Sequence, residues 1–388
     1  MDGASWRAFC DRLAAVGERI LEDDFPDSPR DRAEGYRHLA NQVVGWLGWS
    51  IGYHDPAHPA FFRQNDLIVK WGGPNVDQVT RRSRVDARYT YRITGEMGAC
   101  EDFILTVKDG DMHEGATGIL REVTAADLGL GPGDPIDIVL SATEQPGNWV
   151  ELDPGATMVN FREYYFDWQP RPPALLTIEC LETRGIPPEP LQPADIEAML
   201  DEAASTVEHS VTYWNEWVAK LRGELGVNDV SPPRDTKAEG GSSKIAYGFG
   251  FPHLAEDEVL LVEADVPDAA YYDFQLYSLA WFESLDFTNR TTSLNHTQLS
   301  VGEDGRLHVV VAHRDPGVPN WLDTEGRRDS MLTYRWIKPM TQPVATSRVV
   351  PFADLRAALP AGTARVTPEQ RREELAARQR HGAWRYRT

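Results

Sequence analysis

Within fourteen residues, from Glu283 to His296, the chain carries two carboxylates, an arginine and a histidine: Glu283, Asp286, Arg290 and His296. They follow an aromatic run containing Tyr271, Tyr272, Phe274 and Tyr277. A carboxylate and a histidine can supply the base and acid of a proton transfer, and an arginine can hold charge that develops on a substrate. Asp286 or Glu283 is the expected base, Arg290 the clamp and His296 the proton donor, with Trp281 and Asn295 flanking the substrate. The plainer alternative is a hydrogen-bonded loop with an Asp286–Arg290 pair at i, i+4, worth little at a surface.

A second constellation is Asp315-Pro316-Gly317-Val318-Pro319-Asn320-Trp321-Leu322-Asp323. Two prolines fix φ and one glycine permits a positive φ, so the loop is stiff. It can present Asp315, Asn320 and Trp321 to a ligand, with Asn320 helping Arg290 to stabilise negative charge. Alternatively it is a corner in which Asp315 and Asn320 bond backbone groups and Trp321 plugs the core. A third group is aromatic: Trp214 and Trp217 lie on a long predicted helix, and would line any cavity between that helix and the strands after it.

Other chemistry is missing from the pattern. There is no GxxxxGK[ST], GxGxxG, HExxH, GxSxG or Cys/His cluster, so neither a metal nor an organic cofactor is expected. Gly240-Gly241-Ser242-Ser243-Lys244 lacks the earlier glycine of a phosphate loop. A net charge of -21, with only six lysines among 39 basic residues, argues against nucleic acid and anionic membranes as partners. Three widely spaced cysteines read as buried reduced thiols, and no signal peptide or apolar span is visible, so a cytoplasmic protein is expected. A homo-oligomer is compatible with the composition.

The elements that must position these residues come in a repeated order. Asp102-Phe103 and Pro146-Gly147-Asn148-Trp149 recur as Asp273-Phe274 and Pro316–Trp321, and a Tyr/Arg/Trp-rich stretch closes each copy. Offsets of 171 and 172 residues are too wide for a solenoid and indicate a duplicated domain. Amphipathic helices are predicted over 6–22, with Trp6, Phe9, Leu13, Val16 and Ile20 inward, and from Ser28-Pro29, with Tyr36, Leu39, Val43, Leu47 and Ile51 inward. Strands are predicted at 66–71, 87–94, 102–108, 117–123, 136–142, 156–168 and 174–181. A second set is predicted at 259–264, 271–282, 297–301, 307–313, 331–338 and 347–351. Between the sets lie a Pro-rich linker, a helix over 194–225 capped by Gly226, and a loop over 228–243.

The block from Trp281 to Trp336 resembles a bacterial family catalogued as domain of unknown function 1214. The likeness rests on Trp281-Phe282-Glu283-Ser284-Leu285-Asp286, Asn289-Arg290, Ser293-Leu294-Asn295, Gln298 and the ten residues Asp315–Thr324. It implies a β-rich, jelly-roll-like fold and brings no reaction with it.

The sequence therefore predicts an α+β, β-rich protein with two related jelly-roll-like β-sandwich domains. Its parts are an N-terminal helical segment (1–65), a first sandwich (66–184), a linker with a long bridging helix (185–243), a second sandwich (244–355) and a charged tail (356–388). The expected function is cofactor-independent acid/base catalysis on a hydrophobic small molecule. The alternatives are a non-catalytic binder of such a molecule, or a glycan binder using Trp149 and Trp321 as exposed platforms.

Overall fold

The computed structural model describes residues 3–22, 25–116, 118–236 and 241–386. Met1, Asp2, Thr117 and residues 237–240 of the expected 228–243 loop lie outside them. Helices α1 (Ala4–Arg19) and α2 (Pro29–Leu47) come first. Nine strands follow: β1 (Phe62–Asn65), β2 (Gln78–Arg84), β3 (Tyr91–Glu96), β4 (Asp102–Lys108), β5 (Ile119–Thr124), β6 (Pro135–Ser141), β7 (Trp149–Glu151), β8 (Met158–Tyr164) and β9 (Leu175–Cys180). After helix α3 (Pro193–Leu225) come nine more: β10 (Arg234–Asp235), β11 (Ile245–Gly250), β12 (Glu258–Asp265), β13 (Ala269–Tyr277), β14 (Ser293–Asn295), β15 (Arg306–Ala312), β16 (Trp321–Asp323), β17 (Met331–Pro339) and β18 (Thr346–Pro351). Short α4 (Leu355–Ala358) and α5 (Pro368–Arg385) close the chain.

The first unit pairs a sheet of order β1-β2-β8-β4-β5 with one of order β7-β6-β3-β9. The second unit pairs β10-β11-β17-β13-β14 with β16-β15-β12-β18, the same orders with every index raised by nine. The parallel edge pairs repeat as well: Val139 sits opposite Trp149, and Val310 opposite Trp321. Register carries over, since Asp102 faces Tyr164 and Asp273 faces Arg335. Each unit closes its own core. Tyr91, Phe103, Leu105, Ile138 and Phe161 fill the first, and Leu260, Phe274, Val309, Tyr334 and Trp336 the second. Period-2 alternation sends these residues inward and their neighbours to the opposite face.

On the four-stranded sheet of the first unit the opposite face, with Arg92 and Asp137, meets water, while on the five-stranded sheets those faces are turned from it. The five-stranded sheets turn them toward each other, in contact through Ile104, Tyr164, Ile245, Tyr271 and Ile337. Where the sheets part, α3 covers them. Val207 and Trp214 pack with Trp46, Trp49, Trp71 and Met158 of the first half, while Val218 and Leu221 pack with Phe249, Phe251 and Met331 of the second. The segment 72–77 threads between the sheets. Gly73 and Pro74 offer carbonyls to Arg335, Tyr277 and Gln275. Asp77 accepts the Tyr271 hydroxyl at 2.6 Å and the Trp168 indole N–H. Lys338 Nζ meets Asp102 Oδ2 at 2.5 Å, a further bond between the units.

Helix α5 lies across the seam. Arg378 donates to the Phe287 carbonyl at 3.1 Å and stacks 4.6 Å from the Trp168 ring, so one side chain touches both units. Arg385 is buried among the Tyr165, Trp168, Phe287 and Tyr386 rings.

Several local expectations need correction. Residues 66–71 form a bend, because the Asp66 carboxylate accepts the amides of Ile68 and Val69; the strand there is β1. β2 (QVTRRSR) was not among the expected strands. In the fold Arg82 is fully buried, paired with Asp111 at 2.6 Å and lying 4.0 Å from the Trp49 ring. The expected strand 297–301 is displaced to β14, because Asn295 accepts from Thr297 N and turns the chain there. The buried stripe of α2 is Glu34, Gly35, His38, Gln42, Gly45 and Trp46, with Tyr36 exposed. Gly35 and Gly45 allow Trp281 and Val69 to press against the helix, which rotates it from the aliphatic face read in the sequence. Trp6 of α1 is exposed for the same reason that Phe9 and Val16 are buried: α3 covers only one stripe. No helix among the described residues is long and apolar enough to cross a membrane.

Gly73 carries the threaded segment through its tightest point. Its φ is +63°, and a Cβ there would stand 2.1 Å from Phe282 Cζ. Gly73→Ala should therefore destabilise the protein by about 2–4 kcal/mol through positive-φ strain and overpacking, read as a lowered melting temperature. An unchanged value would mean that the segment is not held between the sheets.

Candidate functional site

A cavity of about 170 Å³ lies where the polar faces separate beneath α3. β2 and β8 contribute Thr80, Asn160 and Arg162; β4 and the turn after it contribute Lys108 and Asp111. The other unit supplies Tyr247, Phe249 and Arg335, and Trp71, Trp214, Trp217 and Phe282 form the aromatic wall. Trp217 stacks on Phe282 with centroids 5.3 Å apart, and Trp71 and Trp214 meet edge to face at 5.9 Å. The wall is thus rigid and preformed.

Electrostatics set this cavity apart. Asp111 is buried between Arg82 at 2.6 Å and Lys108 at 3.4 Å. Burial pushes its carboxyl up, but the two cations outweigh burial and hold it well below the usual carboxylate range. Asp273 is fully buried 2.9 Å from Arg335, and burial pushes it up to about 7 against the pull of that arginine. His113 lies between Trp46 and Trp71, tilted to the first at 5.2 Å and edge-on to the second at 4.8 Å, with neither ring nitrogen hydrogen-bonded, and burial lowers it to about 4. The indole N–H groups of Trp71 and Trp214 and the Asn75 amide Nδ2 have no hydrogen-bond partner.

The residues singled out in the sequence are spread over several places. Glu283 and Asp286 share a second cavity of about 320 Å³ with Arg37, Lys70, Glu325 and Arg327. Glu283 is buried 3.6 Å from His38 Nδ1 and 3.5 Å from Arg37. Burial raises its carboxyl, yet His38, Lys70 and Arg37 together keep it below its ordinary value. Asp286 accepts from the Asn289 side chain at 3.0 Å, and Arg290 pairs with Asp323 at 2.8 Å rather than with Asp286. Trp281 stacks on Phe25 and His38 in the core. His296 stands apart, ringed by Phe166, Tyr271 and Tyr272, and burial lowers it. Asn295 donates to the Phe166 carbonyl at 3.0 Å.

In the 315–323 loop, Asn320 binds Ser300 N, Ser300 O and His308 O. Asp315 takes Arg371 at 3.0 Å. Trp321 is buried, donates to the Ala312 carbonyl at 3.1 Å and lies beneath Arg371, so it is not an exposed platform. Of the residues expected to meet a ligand, Trp214 lines the inter-sheet cavity, together with Trp217 of the same predicted aromatic group. Sequence reasoning missed Lys108, Asp111, Arg162 and Arg335. One signal was available: Lys108, one of six lysines, ends a strand whose middle, Phe103-Ile104-Leu105, is apolar. A larger groove of about 960 Å³ runs between the start of α2, α3 and residues 326–329, and ion pairs such as Arg222–Asp329 at 2.6 Å line it.

Fold and site together define a two-sandwich α+β protein with a polar cavity at the mating of its sheets. Residues 255–341 match the family described as protein of unknown function, DUF1214. The crystal structure of an uncharacterized protein from Burkholderia cenocepacia is similar to this chain with a TM-score of 0.84 and 34% identity, over 90% of this chain and 98% of that one. The VPA0106 protein from Vibrio parahaemolyticus gives a TM-score of 0.47 at 13% identity, over 81% and 98%. None of the curated proteins matches. The chain belongs to the DUF1214 family.

The depressed His113 gives a pH test. Folding favours its neutral form, so its contribution is complete above 6.5 and is lost as pH falls from 6.5 towards 4. The stability difference between the natural protein and His113→Phe should shift by up to about 3 kcal/mol across that window, measured by denaturant unfolding. A difference that stays constant with pH would mean that the histidine is not held neutral.

Proposed function

We propose that this protein binds a small, largely apolar organic molecule in the cavity between its two five-stranded sheets. The aromatic wall of Trp71, Trp214, Trp217, Phe249 and Phe282 carries this reading. Its volume is close to that of an engineered apolar cavity that takes benzene, about 150 Å³. One aromatic ring with a short substituent therefore suits it. The repeated strand order supports reading the units as an internal duplication, with the ligand at the junction of the copies. The described cysteines are all free, in keeping with a reducing, cytoplasmic setting.

Native mass spectrometry of protein purified without added ligand should show an organic adduct that is lost on denaturation. Added benzoate and benzamide provide the control: at least one should raise the melting temperature of the natural protein and not that of Thr80→Phe, which fills the cavity. No adduct and no shift with either would remove this reading.

A second reading is acid/base catalysis in the neighbouring cavity. It is favoured by Glu283, which is buried yet held ionised beside His38. Multiple-turnover conversion of the co-purified compound, abolished in Asp286→Asn at unchanged melting temperature, would establish it. A compound returned unaltered would leave binding alone.

A further inference from the structure

We propose that the molecule held between the sheets is a carboxylate on a single-ring or similarly compact apolar body, its charged end seated between Lys108 and Arg162. This rests on the binding reading above and adds the chemical class of the ligand. The chain as a whole carries a charge of -21, yet this cavity is cationic. Arg82 and Lys108 share a single carboxylate, Asp111. Arg335 is matched by Asp273. Arg162 faces the same space, and among the described residues no carboxylate pairs with it. Among the described residues, one positive charge from the first group and one from Arg162 have no carboxylate of their own.

Geometry agrees with the charge count. Lys108 sits opposite Met158, and Arg162 follows on the same face of β8 four residues later, about 13 Å along the strand. Long side chains reaching in from both ends leave room for one anion above Asn160. Burial disfavours the Lys108 charge most, against the pull of Asp111, and the nearby charges of Arg82 and Arg162 add to that; a bound anion would relieve the added part. The donors without partners point to the same class. Trp71 and Asn75 are each 5% exposed, and Trp71 Nε1, Asn75 Nδ2 and Trp214 Nε1 lack acceptors. Asn160 Nδ2 donates to Gln64 Oε1 at 3.5 Å and its Oδ1 has no partner, so Asn160 itself lends the anion no donor. Buried donors beside unmatched cations are satisfied by an anion and left wanting by a neutral molecule. Meanwhile Trp217, Phe249 and Phe282 exclude a fully hydrated ion, so the anion must bring an apolar body.

The test is calorimetric titration of the intact protein with benzoate, phenylacetate and cinnamate, each beside its neutral amide, with acetate as the bodiless anion. At least one acid should bind tenfold or more tightly than its amide and than acetate. Arg162→Gln should remove that preference while leaving amide binding and the melting temperature unchanged, since no partner is lost; Arg162→Lys should restore part of it. An amide that binds as tightly as its acid would overturn the carboxylate and leave the cavity reading intact. Acetate binding as tightly as the acids would overturn the apolar body. If neither acids nor amides bind, both readings fall. A lowered melting temperature in Arg162→Gln with acid affinity unchanged would assign Arg162 a structural role instead.

Discussion

Everything in this molecule follows from burying two polar sheet faces against each other. A sandwich ordinarily hides one face of each sheet and leaves the other to water. Here the second faces of the five-stranded sheets are hidden as well, and every polar group on them needs a partner inside the protein. The threaded segment 72–77 supplies many of those partners. Its carbonyls and carboxylate receive Arg335, Gln275, Tyr277 and Tyr271, groups that direct sheet-to-sheet contact would leave unsatisfied. The aliphatic contacts at Ile104, Ile245 and Ile337 bring the faces together, and the polar groups fix their relative register.

Where this pairing runs out, the cavity begins. Helix α3 spans both units because its apolar stripe is long enough to cover the two halves in turn, from Met199 and Leu200 through Val207 and Val211 to Val218 and Leu221. The cavity is therefore the space left beneath a helix that must reach two differently shaped surfaces. Its walls combine the aromatics that a buried helix brings with the cations that a polar sheet face carries. Each sandwich supplies part of both sets, and only their union with α3 completes the wall.

Much of the architecture was legible in the sequence. Helix α3, capped by Gly226, stood out through its 3.6-residue period and length. Strands β6, β12, β15 and β17 stood out through dense β-branched and aromatic residues. The repeat was visible through Asp102-Phe103 and Asp273-Phe274. The site was far less legible. Alternation along a strand says which residues share a face; it does not say what lies beyond that face. Arg82, Arg162 and Arg335 carried no mark of burial, because polar residues in alternating strands usually face solvent. Only the docking of one sandwich on the other removes them from water, and that docking joins residues more than a hundred positions apart. The dense cluster at 281–296 misled in the opposite way, since proximity in sequence did not become proximity in space: His296 lies among Phe166, Tyr271 and Tyr272, and Glu283 lies beside His38.

Helix α5 has a consequence for the order of assembly. It follows both sandwiches in the chain, and Arg378 and Arg385 can settle only on a seam that already contains Trp168 and Phe287. During synthesis each sandwich can close its own core as it leaves the ribosome, while α5, made last, waits for the two to mate. The polar sheet faces keep the unmated halves soluble during that wait. The property that makes the finished interior costly to bury thus protects the nascent chain from sticking to its neighbours.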